Sequence, residues 1–234
     1  MVKLLKKMTE RDKKLLEFMS KYVTPERKSR FEEVLRYRTK HITLVLEDIF
    51  QSHNASAVLR SCDLTGIQNV HIIENKYVYD INPNIVVGST KWLDLKKYNS
   101  ADFNTPEAFE ALRAGGYKIV ATCPHQNDFT PDTLPLDTPV AIVLGTEKTG
   151  LSDYALENAD MFLQIPMFGF TESFNISVSA ALISFTLTQR LHKSDDVAWH
   201  LTEEEKDEVL LDWIKRTIKH PLELEKAFEQ KYNR

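Results

Sequence analysis

Apolar residues follow two rhythms along this chain. Val140–Leu144 is a short apolar run, and short segments rich in apolar residues stand at His41–Glu47, Val70–Ile73 and Tyr117–Thr122. The first is short enough for a strand covered on both faces, and the others read as strands as well. A further short strand is expected over Met161–Ile165, and residues 75–104 read as polar and irregular. Between the runs, apolar positions recur at helical spacing over Asn54–Leu64, Pro106–Ala114 and Ile176–Leu187. Asn54 suits the N-cap of the first of these helices and Gly66 its stop. Strand, helix, strand at 41–73 is a crossover unit, which implies parallel pairing.

Both ends of the chain read as helices. Residues 8–22 carry Leu15, Leu16, Phe18 and Met19, and residues 25–38 open on Thr24-Pro25, a cap followed by proline at the first position. Phe31, Val34, Leu35 and Tyr37 are expected to pack back on the body. At the other end, helices are expected over 202–218 and 221–231, with Leu210, Trp213, Ile214 and Ile218 forming a packing stripe. The expected organisation is a helical arm at 1–40, an α/β domain at 41–193 and a C-terminal helical extension at 194–234.

Charge sharpens this picture. Residues 1–40 hold 13 Lys or Arg against six acids, near +7, so the remainder of a chain of net charge −4 is near −11. A basic end on an acidic body suggests a local polyanion contact. Arg11, Lys13, Lys14, Arg27, Lys28, Arg30, Arg36 and Arg38 are the candidates for touching RNA phosphates; a solvated helix pair is the competing reading. No apolar run approaches the roughly 20 residues that span a bilayer. The basic N-terminus lacks the apolar core of a signal peptide. Cys62 and Cys123 show neither metal-ligand spacing nor a disulfide framework, and read as inert core thiols of a cytoplasmic protein. No metal and no membrane partner are expected.

Three clusters carry candidate chemistry. The first is Asn54-Ala55-Ser56-Ala57-Val58-Leu59-Arg60. Six residues on a helix turn through about 600°, so Asn54 and Arg60 lie about 120° apart rather than on one face. The second is Leu144-Gly145-Thr146-Glu147-Lys148-Thr149-Gly150, where glycine allows a ligand close to the backbone. It has neither phosphate-loop spacing nor a dinucleotide fingerprint. The third is Ile165-Pro166-Met167 with Ser173-Phe174-Asn175, apolar groups fit to hold a flat base or a thioether beside helix-capping polar residues.

These clusters, in this order over about 42–190, resemble the motifs of the SPOUT-class RNA 2′-O-methyltransferases, SpoU/TrmH subfamily. The arm, Gly88-Ser89-Thr90-Lys91-Trp92-Leu93 and the C-terminal helices further resemble members acting on guanosine 18 of the tRNA D-loop. The resemblance implies a mostly parallel α/β sheet with helices on both faces, a C-terminal trefoil knot and S-adenosyl-methionine as methyl donor. It also implies a homodimer with its active site at the subunit interface and tRNA as partner. Carried over, Arg60 matches the arginine that activates the ribose hydroxyl, with Asn54, Glu147, Ser173 and Asn175 around it. Thr122, Leu144, Gly145, Ile165, Met167 and Phe174 occupy donor-pocket positions. Phe174 stands where leucine is commoner, and Ser52 where proline often stands. Ribosomal RNA as substrate, or a knotted RNA-binding module without catalysis, are the other readings. A free guanidinium titrates above about 12, and neutralising one near pH 7 costs about 7 kcal/mol. Arg60 is therefore expected to orient the hydroxyl and stabilise its developing charge rather than act as base.

Overall fold

The computed structural model describes residues 8–79, 88–124, 128–146 and 149–232. The chain divides into two units: Met1–Arg38 with His200–Arg234, and Thr39–Trp199.

The larger unit is built on six parallel strands: β1 (Ile42–Glu47), β2 (Asn69–Ile73), β3 (Asp94–Tyr98), β4 (Lys118–Thr122), β5 (Val140–Leu144) and β6 (Met161–Leu163). Their order is β3-β2-β1-β5-β4-β6. Every residue of β1 and β5 is buried; β5 is apolar throughout, and β1 is apolar but for Thr43 and Glu47. Alternate side chains feed two cores on opposite faces. Leu44, Leu46, Val70 and Ile142 pack with α3 (Ser52–Thr65) and α6 (Ile176–His192). Val45, Ile73, Ala121 and Val143 pack with α4 (Thr105–Ala114) and α5 (Asp153–Glu157). α3 and α6 lie against each other. A single 3-10 turn, Ser89–Lys91, precedes β3.

Several expectations are corrected here. β3 lies inside the stretch expected to be irregular, and pairs with β2 from Asn69↔Asp94 to Ile73↔Tyr98. Its sequence, DLKKY, is that of an edge strand, with charge where a central strand would carry apolar residues. Helix α3 begins two residues early, with Gln51 at the N-cap and no side-chain cap, so Asn54 lies in its first turn. The stop at Gly66 stands, at φ +85°. The helix expected over 176–187 runs on to His192.

The smaller unit joins both chain ends. It contains α1 (Glu10–Ser20), α2 (Pro25–Leu35), α7 (Glu203–Thr217) and α8 (Pro221–Tyr232). Thr24 caps α2, accepting from the Arg27 N–H at 3.3 Å, with Pro25 at the first position. Phe31 packs on Trp213 with ring centroids 5.6 Å apart. The arm thus packs on the C-terminal helices. Tyr37, expected inside, is exposed.

One buried group makes a pH prediction. His71 on β2 hydrogen-bonds the Tyr98 hydroxyl at 2.9 Å. Burial, with nearby Lys96 adding to it, pushes His71 down from 6.5 to about 3. Below pH 6.5 the unfolded chain takes a proton that the folded chain refuses, so stability falls as pH drops towards 3, by about 1.4 kcal/mol per pH unit. Between pH 6.5 and 4 the protein is expected to lose about 3 kcal/mol more than a His71→Phe variant. Denaturant titrations at both pH values test this, and equal losses would refute it.

Candidate active site

The C-terminal edge of a parallel sheet is where ligands gather, because strand ends leave backbone groups unpaired there. In this chain β4, β5 and β6 end around a cavity of about 430 Å³. It is lined by Thr122, Leu144, Gly145, Ile165, Met167 and Phe174, all six residues expected to hold a methyl donor, together with Ser173. Thr122 is fixed by donating its hydroxyl to the Val143 carbonyl at 2.9 Å.

The loop after β5 folds back on itself. The Thr146 N–H donates to the Gly150 carbonyl and the Gly150 N–H to the Thr146 carbonyl, both at 3.0 Å. Gly150 sits at φ +70°. A Cβ on Gly145 would stand 2.5 Å from the Leu151 nitrogen and closer still to the Gly150 carbonyl. Glycine is therefore required where the loop crosses its own start. Thr149, Gly150 and Leu151 form one wall of the cavity. Glu147, an expected catalytic residue, lies outside the described residues.

Asn54 and Asn175 come together from stretches 121 residues apart. Asn175 caps α6, its side-chain oxygen accepting from the Ser177 N–H at 2.8 Å. That fixes its amide nitrogen as the donor to Asn54 Oδ1, at 3.3 Å. Asn54, 2% exposed, in turn donates to Gln51 Oε1 at 2.9 Å. The amide pair therefore joins the start of α3 to the start of α6, next to cavity residues Ser173 and Phe174. Neither asparagine lines the cavity itself.

Arg60 is exposed and is not among the cavity-lining residues of its own chain. The helix explains this: it lies about 9 Å along the axis from Asn54 and about 120° round it. Asn54 turns inward to α6, and Arg60 turns to solvent.

Sequence reasoning missed several cavity residues. Glu172, Ser179 and Ile183 line it, and so does Cys123, which corrects the expectation of an inert core thiol. Cys62 is buried. Glu172 stands immediately before Ser173 of the third cluster, and a carboxylate beside residues expected to hold a sulfonium donor was the signal. Among the described residues, no group of three or more His, Cys, Asp and Glu could hold a metal ion. No described helix is long and apolar enough to cross a membrane.

The RNA candidates divide. Lys13, Lys14, Arg27, Lys28, Arg30 and Arg36 are exposed. Lys13 pairs with Glu10 and Arg30 with Glu33. Arg11 is held by Glu225 and Glu229 of α8. Arg38 is withdrawn from the surface: at 1% exposure its guanidinium lies over the Trp213 ring, 5.2 Å from the centroid. A planar cation stacks well on indole, which explains a buried arginine in an otherwise basic arm.

Comparison with known proteins agrees with this geometry. Residues 41–185 match the SpoU rRNA Methylase family. The tRNA (guanosine(18)-2′-O)-methyltransferase of Borreliella burgdorferi is 42% identical over 202 residues, covering 86% of this chain and 90% of that protein. Its Thermus thermophilus counterpart is 34% identical, covering 82% and 98%. The crystal structure of the Aquifex aeolicus TrmH/SpoU tRNA modifying enzyme superposes with a TM-score of 0.72 at 28% identity, covering 83% of this chain and 98% of that one. With the family model matched over residues 41–185 and a relative 42% identical over 90% of its own length, the chain belongs to the SpoU methylase family.

Proposed function

We propose that this protein transfers the methyl group of S-adenosyl-methionine to the ribose 2′-hydroxyl of guanosine 18 in the D-loop of tRNA. The observation that carries the reading is the convergence of Thr122, Leu144-Gly145 and Ile165–Phe174 on one cavity in a chain of this family. The relatives named for that reaction support the choice of nucleotide.

The residues fit the donor. A cavity of about 430 Å³ is of small-molecule size. Ile165, Met167, Phe174 and Ile183 offer apolar surface to a flat base and a thioether-like chain, while Glu172 offers charge to a sulfonium. Gly145 brings backbone close. When bound, the donor supplies an electrophilic methyl group. The chain's part is to bring a hydroxyl into line with it, which can itself supply much of the acceleration. Ser173 and the Asn54–Asn175 pair hold the polar side of the site. Arg60 orients the hydroxyl and stabilises the charge that develops on it, and a substrate phosphate or water takes the proton.

Arg60 reaches a cavity from across a homodimer in this reading. Val178, Leu182 and Phe185 on α6 form an exposed apolar stripe, Phe185 being 59% exposed. Leu64, on the same helix as Arg60, is 76% exposed. Stripes of this kind favour burial against a second copy. The family reading further includes a trefoil knot. A reducing cytoplasm suits the two free cysteines.

The decisive experiment maps ribose methylation by mass spectrometry in tRNA and ribosomal RNA from cells lacking the protein. Loss of 2′-O-methylguanosine at tRNA position 18, restored by the purified protein with S-adenosyl-methionine, is expected. Loss in ribosomal RNA alone, or no loss, would favour the alternative substrate or a non-catalytic role.

The basic arm serves tRNA through phosphate contacts. Replacing Lys14, Arg27, Lys28 and Arg36 together by glutamine is expected to weaken binding and lower the slope of log affinity against log salt by about 3. Filter binding across a salt series checks this; an unchanged slope would remove the arm from the interface.

A further inference from the structure

The last residue of β1 does a job that none of the three motif clusters describes. Glu47 is 2% exposed. Its Oε2 accepts from the Ser152 N–H at 2.9 Å. Its Oε1 accepts from the Ser152 hydroxyl at 2.7 Å and the Thr105 hydroxyl at 2.6 Å. Both hydroxyls already accept elsewhere: Ser152 from the Ala155 N–H at 3.2 Å, Thr105 from the Asn75 amide at 3.0 Å. Their hydrogens are therefore committed to Glu47. The position calls for a group that only accepts, since a carboxamide would set its NH₂ against a donor.

Ser152 directly follows Thr149, Gly150 and Leu151, the wall of the cavity. The near end of that loop is closed by the Thr146–Gly150 pair and by contact with Gly145. Its far end is tied down at Ser152. We propose that Glu47 is a positioning residue for the methyl-donor cavity, its carboxylate setting the wall Thr149–Leu151 through Ser152. This rests on the reading of the cavity given above. Glu47 does not line the cavity and acts only through the loop. Thr105 draws on the same carboxylate but opens α4, which contributes no lining residue. The two hydroxyls thus make an internal comparison: one partner faces the cavity loop and the other does not.

The test uses the full chain, with S-adenosyl-homocysteine titrated by calorimetry as the probe. Michaelis constants for S-adenosyl-methionine and tRNA, and thermal midpoints, are measured alongside. Ser152→Ala is expected to weaken probe binding about tenfold and to raise the donor KM equally, leaving the tRNA KM within about twofold. Ser152→Thr, which keeps the hydroxyl, is expected to restore binding to near the wild-type value. Thr105→Val is expected to lower the thermal midpoint yet leave probe affinity within about twofold. Glu47→Gln is expected to match Ser152→Ala; should it fail to fold, the Ser152 and Thr105 variants decide. Wild-type affinity in Ser152→Ala, or equal weakening in Thr105→Val, would overturn the proposal. Ser179→Phe, which fills the cavity from its wall, separates the two readings. Undiminished probe binding there would remove the cavity as the donor site and Glu47's role with it. Lost binding there with an unaffected Ser152→Ala would overturn the Glu47 proposal alone.

Discussion

Replacing Gly145 by alanine is expected to abolish methyl-donor binding. The added Cβ would stand 2.5 Å from the Leu151 nitrogen, and backbone on both sides leaves it no flexible neighbour to displace. The chain can accept it only by moving Gly150 and Leu151 outward. That breaks the paired Thr146–Gly150 hydrogen bonds and opens the cavity wall. Overpacking of this kind costs about 1–3 kcal/mol in stability, which a larger α/β core tolerates. A binding site displaced by a fraction of an ångström is less forgiving. Calorimetry with S-adenosyl-homocysteine should find affinity reduced by at least about 100-fold, the circular dichroism spectrum being retained. Binding within threefold of wild type would show that the loop has room the geometry denies it.

Arg60→Ala should be the most damaging change to the chemical step. Its side chain is exposed on α3, so the fold loses little and the thermal midpoint should stay within about a degree or two. Removal of one donor aimed at developing negative charge lowers rates by about 10²–10³-fold. Single-turnover methylation with saturating tRNA should show that loss, with donor binding unchanged. Arg60→Lys should recover little, because a point ammonium cannot reproduce a planar fork of donors. If the lysine variant keeps most of the rate, the bidentate role is wrong. The same residue reports on assembly. If the protein is the homodimer proposed above, mixing the Arg60→Ala chain with the Gly145→Ala chain should restore about a quarter of wild-type activity, since half the dimers would be mixed and each would hold one intact site. No recovery would place Arg60 in the work of its own chain's cavity, against the exposure seen for it.

Much of the larger unit was legible because its central strands are mostly apolar over short spans. β1 and β5 announce burial on both faces. β3 escaped because an edge strand carries Lys96 and Lys97 where a central one would carry valine. α5 escaped because five residues are too few for a helical period to show. Motif resemblance singled out six residues that the fold brings to one cavity, though they lie on separate strand ends and loops. Glu47 was not legible. A carboxylate ending an apolar run reads as a strand leaving the core, and its partners stand 58 and 105 residues further along. Arg38 failed for the same reason. Nothing near it in the chain foretells an indole 175 positions away. Local pattern encodes which face is buried, whereas a polar group's partner is set by tertiary approach.

The smaller unit takes its residues from the first 38 and the last 35 positions of the chain. During synthesis, Phe31 leaves the ribosome long before Trp213 exists to pack on it, and the buried Leu15 and Met19 of α1 precede the C-terminal helices of their unit by as much. At about 5–20 residues per second, that wait is on the order of 10 to 40 seconds. The newly made arm is thus a sticky segment that chaperones would be expected to hold until residues 200–234 are made.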